Sequence, residues 1–331
     1  MSASQSMIPY PHGGLPIARM RSVYRIDEVG AKLDKLPPKE HESLRATYER
    51  MLEKGPDRFQ VKPSGLPQME YLYDELPNFG DVLDDVRRQI ALCEDSRDAL
   101  EITPLLLLGP PGIGKTHFAR ELSVLLGTGM GFVSMSSLTA GWVLSGASSQ
   151  WKGARPGKVF ETLVDGQYAN PVIVVDEIDK AGGEHAYDPL GALYSLLEHD
   201  TAGQFTDEFA EVPVDASQVI WVATANDARA IPEPIMNRVN VFEVRAPDRD
   251  AARGIAARLY RTIRAAHDWG SRFEPDAGDA LLDRMSEMAP REMRRALMTA
   301  FGNAKLDHRD HLLPRDLPEP AHKRSAIGFV Q

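Results

Sequence analysis

Of the 331 residues only one is cysteine, Cys93, so no disulfide can form within the chain. A lone thiol on the apolar face of a helical stretch suits packing in a reducing compartment rather than redox chemistry. Long apolar runs are missing too. None approaches the ~18 residues a bilayer span requires, so no membrane partner is expected. The first residues have neither the basic start nor the apolar stretch of a secretory leader, and the expectation is a cytoplasmic protein. Positive charge is in deficit, with 38 Lys and Arg against 48 Asp and Glu, a net charge of −10. That balance argues against diffuse binding to nucleic acid or anionic lipid, although it leaves room for a local basic groove. Hydrophobic residues make up 43% of the chain, enough to bury the core of one large domain or two smaller ones.

What is present is organised by periodicity. Residues 1–38 are rich in Pro, Gly and Ser and read as a mobile arm. Lys39–Lys54 reads as an amphipathic helix with Leu44, Tyr48, Met51 and Leu52 on one face, broken by 55–67. A second helix follows at Asp81–Cys93. Short apolar runs then alternate with helical stretches: Leu105–Leu108, Gly131–Met135, Val172–Asp176, Val219–Ala225 and Val239–Val244 are strand candidates, and Gly157–Leu163 and Leu190–Leu197 are helical. This alternation predicts a parallel five-stranded sheet covered by helices on both faces. After Pro247 the strands stop and three helices are expected, Ala251–Ala266, Asp276–Met288 and Arg291–Ala304, the last with Pro290 at its first turn. The implied division is an arm with one helix (1–75), an α/β core (76–246), a helical lid (247–310) and a flexible tail (311–331).

Chemistry enters after the first core strand. Gly109, Pro110, Pro111, Gly112, Ile113 and Gly114 lead into Lys115, Thr116 and His117, matching G-x-x-x-x-G-K-[ST] between a strand and a helix. Glycines let the backbone wrap a phosphate so that amide N–H groups face its oxygens, and the following helix adds its positive end. Lys115 is then placed to reach the terminal phosphates and Thr116 to ligate Mg²⁺. The spacing predicts a nucleoside triphosphate site.

Val172–Asp179 is a buried-strand run that ends in carboxylates. At the C-terminal end of a strand beside the phosphate loop, Asp176 is the expected Mg²⁺ ligand. Glu177, the next residue, is placed to polarise a water for attack on the γ-phosphate. Asn226 ends another apolar strand, Val219–Ala225, and is expected at the same sheet edge, orienting that water.

These segments resemble the AAA+ ATPase family, and more closely the ATPase module of Lon-type proteases. The resemblance runs from about Asn78 to Lys305. It is carried most specifically by Gly153-Ala-Arg-Pro-Gly157, Asn170–Lys180, Phe205–Pro213, Val222–Asn226 and Ile231–Arg238. It implies the AAA+ P-loop core with a small helical lid, and ATP as the nucleotide. It also implies that Asn226 is the sensor-1 residue and Arg238 an arginine finger completing the site of a neighbouring subunit, hence a homo-oligomeric ring, expected to be a hexamer. Arg291 matches the lid's sensor 2. Trp151 falls where this branch carries a pore-loop aromatic that grips an extended polypeptide. Its neighbour Lys152 stands where an aliphatic residue is usual, and the pair could instead stack on a base and meet a phosphate. Phe205 and Phe209 are candidates for a second pore-side loop.

Only 40 residues follow Arg291, and none supplies a Ser-Lys nucleophile motif, so no peptidase is expected in this sequence. Three functions remain open. The first is an ATP-hydrolysing motor that remodels or unfolds a protein client, chaperone-like or for a separate partner. The second is a nucleic-acid-associated loader, mobile-element or defence ATPase. The third is a nucleotide-dependent assembly switch.

Overall fold

The structure, a computed structural model, describes residues 17–37, 41–137, 142–151, 153–181 and 188–319. The chain enters through β1 (Ile17–Ser22), α1 (Ile26–Lys35), α2 (Glu42–Lys54) and β2 (Asp57–Lys62), with β1 and β2 paired antiparallel from Ile17↔Lys62 to Ser22↔Asp57. Much of the expected mobile arm is therefore ordered, and the arm holds more than the one helix expected. Local pattern concealed this because every side chain of β1 is wholly or partly exposed, while its order comes from backbone pairing with a strand 35 residues or more away. Val23, Tyr24, Val29, Leu44, Tyr48 and Met51 join the core cluster of the main sheet.

Buried polar groups sew this layer down. The Tyr24 hydroxyl donates to the Met51 and Gly55 carbonyls (2.7 and 2.6 Å), and Tyr48 donates to the Ala210 carbonyl at 2.7 Å. The buried Arg58 guanidinium donates to the carbonyls of Gly55, Asp57, Leu163 and Val164. The last two belong to the wide turn Glu161–Asp165, which replaces the end of the helix expected at 157–163. Arg58→Leu is expected to destabilise the protein by roughly 3 kcal/mol, because the Leu163 and Val164 carbonyls lose a buried charged donor, while Gly55 keeps Tyr24. Urea unfolding tests this; an unchanged midpoint would mean that the carbonyls find other donors.

After α3 (Gly80–Cys93) comes the main sheet: β3 (Leu105–Leu108), β4 (Met130–Ser134) and β5 (Val172–Asp176), then the short hairpin β6 (Phe205–Thr206) and β7 (Pro213–Val214), then β8 (Ile220–Ala225) and β9 (Asn240–Glu243). The sheet order is β4-β5-β8-β3-β9, all parallel. Leu105, Leu106, Leu107, Val172, Ile173, Val174 and Val222 are fully buried, as continuous apolar strands covered on both faces must be. Cys93 is buried on α3 and burial pushes its thiol pKa up, consistent with packing. The helix expected over 190–197 is confined to Leu193–Leu196.

The chain divides into two units, with a break between Val244 and Arg245. Asp74–Asn78 and Gly112–Gly114 group with the second unit, which otherwise runs from Arg245 onward. Its helices are α5 (Arg249–Ala265), α6 (Asp279–Met285) and α7 (Pro290–Leu306). Asp248 caps α5 by accepting from the Ala251 amide (2.9 Å), and Pro290 opens α7. The core of this unit is aromatic, with Tyr260 stacked on Phe301 and Trp269 and Phe273 against the same ring. The segment after His311, expected to be flexible, is built into that core as far as the structure describes it. Leu312 and Leu317 are buried, and buried Asp316 pairs with Arg309 at 2.6 Å. A proline-rich composition hid three anchoring side chains. No helix among the described residues is long and apolar enough to cross a membrane.

Candidate active site

The phosphate loop leaves the C-terminal end of β3, an inner strand between β8 and β9, and runs directly into α4 (Lys115–Leu126). Gly112 and Gly114 have φ of +81° and +108°, where a side chain would strain the turn. The buried Lys115 ammonium donates to the carbonyls of Gly109 (2.6 Å) and Pro110 (3.0 Å) and to Oδ1 of Asn226 (2.9 Å). Burial pulls its pKa below the ordinary lysine value, against the upward pull of Asp176, Asp179 and Glu177. Asn226 is held to this point by the sheet. It follows Ala225, whose carbonyl accepts from the Gly109 amide at 3.1 Å.

Asp176 closes β5. Its Oδ1 accepts from the Thr224 hydroxyl (2.7 Å) and the Thr116 hydroxyl (3.3 Å). Thr224 also accepts the Glu177 amide at 3.0 Å, so one hydroxyl fixes both consecutive acidic residues. Glu177 has φ 57° and ψ 49°, a left-handed conformation that costs a non-glycine residue about 1–3 kcal/mol and collects at functional sites. His117, half exposed on α4, pairs with Glu121 at 3.8 Å. The structure thus brings Lys115, Thr116, Asp176, Glu177 and Asn226 to one sheet edge. Thr224 was missed from sequence, although a hydroxyl inside the fully buried strand Ile220–Ala225 is a legible signal that something polar needs it.

Residues 105–246 match the profile of the family described as ATPase family associated with various cellular activities (AAA). These residues form an AAA domain.

The chain is 30% identical over 257 residues to the mitochondrial Lon protease homolog of Aspergillus fumigatus, covering 76% of this chain and 23% of that protein. With the Schizosaccharomyces pombe counterpart it shares 35% over 164 residues, half of this chain and 15% of the relative. The chain therefore spans less than a quarter of the length of the curated relatives it matches. Among solved structures, the RuvB Holliday junction branch migration motor of Thermotoga maritima aligns with a TM-score of 0.48 at 16% identity, over 77% of this chain and 70% of that one. The AAA fold implies nucleotide binding, usually with Mg²⁺, and AAA relatives usually form oligomers.

In this AAA domain Arg238 stands apart from its own phosphate loop. It lies two residues before β9, whose Asn240 is level with Leu105, the start of β3, whereas the loop leaves the other end of that strand. About 10 Å of strand separates the two ends. Arg238 donates to the Pro234 carbonyl (2.6 Å) and pairs with Glu198 (2.6 Å) beside a cavity of about 310 Å³. Within the second unit, Arg291 is the second residue of α7 and its amide donates to the Gly112 carbonyl at 3.3 Å.

Trp151 is 51% exposed, between two tight turns in which its amide donates to the Ser148 carbonyl and its carbonyl accepts from Ala154. Lys152 lies outside the described residues. Phe205 and Phe209, expected near the pore, are instead buried in the sheet unit's core. Their apolar spacing serves packing, which sequence could not separate from a surface loop.

Proposed function

We propose that this chain is the ATPase of an oligomeric ring, a hexamer, that hydrolyses ATP with Mg²⁺ and uses the cycle to remodel or unfold a protein client. Its setting is the cytoplasm, consistent with one buried thiol. The donor set fits a magnesium nucleotide. A buried ammonium, amide-rich glycine turns and a helix start suit the phosphates, and the hydroxyl of Thr116 beside the carboxylate of Asp176 offers the hard oxygens Mg²⁺ prefers. When bound, Mg²⁺ would neutralise charge on the phosphates. Glu177, fixed through Thr224 next to Asp176, is the base that takes the water's proton, and Asn226 orients the water. Arg238, at the wrong edge for its own site, serves a neighbour's, which makes hydrolysis a property of the assembled ring.

The observation that carries the client class is Trp151. A large indole left half exposed on a loop offers apolar contact to an extended chain of any sequence. The ATPase rate is expected to rise with an unfolded protein such as casein, and Trp151→Ala should remove about tenfold or more of that stimulation while preserving the basal rate. Stimulation by single-stranded DNA that falls steeply with salt would replace the protein client with nucleic acid. A rate indifferent to both polymers would favour an assembly switch.

A further inference from the structure

Among the described residues, the segments Gly153–Gly157 and Phe205–Pro213 share no hydrogen bond with Lys115, Thr116, Asp176, Glu177 or Asn226, yet they meet at one buried carboxylate. Asp207 is fully buried and, among the described residues, has no cation in ion-pair range. Its Oδ1 accepts from the Phe209 and Ala210 amides (2.9 and 3.0 Å), which caps its own turn. Its Oδ2 reaches 50 residues back along the chain to accept from the Gly157 amide at 2.7 Å. Next to it, the Glu208 amide donates to the Ser145 carbonyl at 2.7 Å. The loop carrying Trp151 is thus held at both ends, at Ser145 and Gly157, by residues 207 and 208.

The backbone is shaped around this carboxylate. A Cβ on Gly146 would lie 2.6 Å from Oδ1 of Asp207, and one on Gly157 would lie 2.2 Å from the Leu144 carbonyl oxygen and 2.4 Å from the Gly146 nitrogen. Side chains at either position would push the two ends of the loop apart. Burial drives the Asp207 pKa up to about 6 despite the three amides, with Glu208 adding to the rise. The site therefore keeps an acid that costs stability when ionised, more than capping a turn requires.

We propose that Asp207 is a positioning residue for the substrate loop, fastening the loop of Trp151 through Gly157 to the segment that leads into β8. The proposal rests on the reading of Trp151 as the client-gripping residue. β8 begins six residues after β7 and carries Thr224, so the fastening joins the gripping loop to the strand that orders Asp176 and Glu177. A rigid mount lets force at Trp151 reach the sheet instead of being lost in loop motion.

Asp207→Asn isolates the long-range bond. The amide oxygen can still accept from Phe209 and Ala210, while the NH₂ group faces the Gly157 donor and cannot accept. Asp207→Ser is the second variant, since one hydroxyl can cap its own turn without spanning to Gly157. At about pH 8, well above the value of about 6 for the Asp207 carboxyl, both variants should show amide exchange about tenfold or more faster across 147–157, with Phe209 and Ala210 still protected. Basal ATPase should stay within about twofold of wild type, while casein stimulation falls toward the level of Trp151→Ala. Unchanged exchange at Gly157 would overturn the fastening. Faster exchange with intact casein stimulation would overturn the positioning role. If casein does not stimulate the wild type, the client reading fails, and exchange alone then decides whether Asp207 fastens the loop.

Discussion

Glu177→Gln is expected to bind nucleotide within about twofold of wild type and to hydrolyse it at least ~100-fold more slowly, the typical worth of a positioned general base. Glutamine keeps the size of the side chain and leaves the backbone amide on Thr224, so the left-handed turn survives. What it loses is the carboxylate that accepts a proton. In the proposed reading Asp176, whose Oδ1 accepts from the Thr116 and Thr224 hydroxyls, serves Mg²⁺ rather than the water. Phosphate release and fluorescent-nucleotide binding, measured on the same preparation, separate the two effects. Turnover within about twofold of wild type would remove Glu177 from its role.

The second large effect belongs to Arg238. Arg238→Ala is expected to reduce turnover by about a thousandfold, the lower end of what an arginine finger supplies. The residue also holds a partly exposed ion pair with Glu198, worth no more than about 1 kcal/mol, so the fold should survive. The decisive measurement is complementation. Lys115→Ala and Arg238→Ala chains are each expected to be inactive alone, but co-expressed in equal amounts they should pair an intact Lys115 with an intact Arg238 at about a quarter of random interfaces. Recovered turnover near that share would establish action across the interface. Mixed oligomers without recovery would place the catalytic role of Arg238 within its own chain, or nowhere.

The grouping of the candidate nucleotide-site residues was legible because they lie at fixed distances along the sequence or at strand ends. The phosphate loop is continuous, and Asp176, Glu177 and Asn226 each terminate an apolar run. A parallel sheet with helical crossovers brings the C-terminal ends of its strands to one edge, so pattern alone assembled most of the constellation. Thr224 escaped because its task is set by two neighbours 47 and 48 residues away. The same limit hid the role of Asp207. It reads as an ordinary turn aspartate until the 2.7 Å bond to Gly157 is seen.

By itself the sequence determined the five core strands, the three helices after residue 247 and the phosphate-loop motif between strand and helix, since local periodicity and strand-end residues encode these directly. Only the tertiary structure decided that residues 17–36 and 312–317 are anchored, that Phe205 and Phe209 are core, and that Arg238 lies at the sheet edge away from its own loop. Each depends on pairing or burial between distant segments. Such contacts gain their free energy from groups that no local window contains.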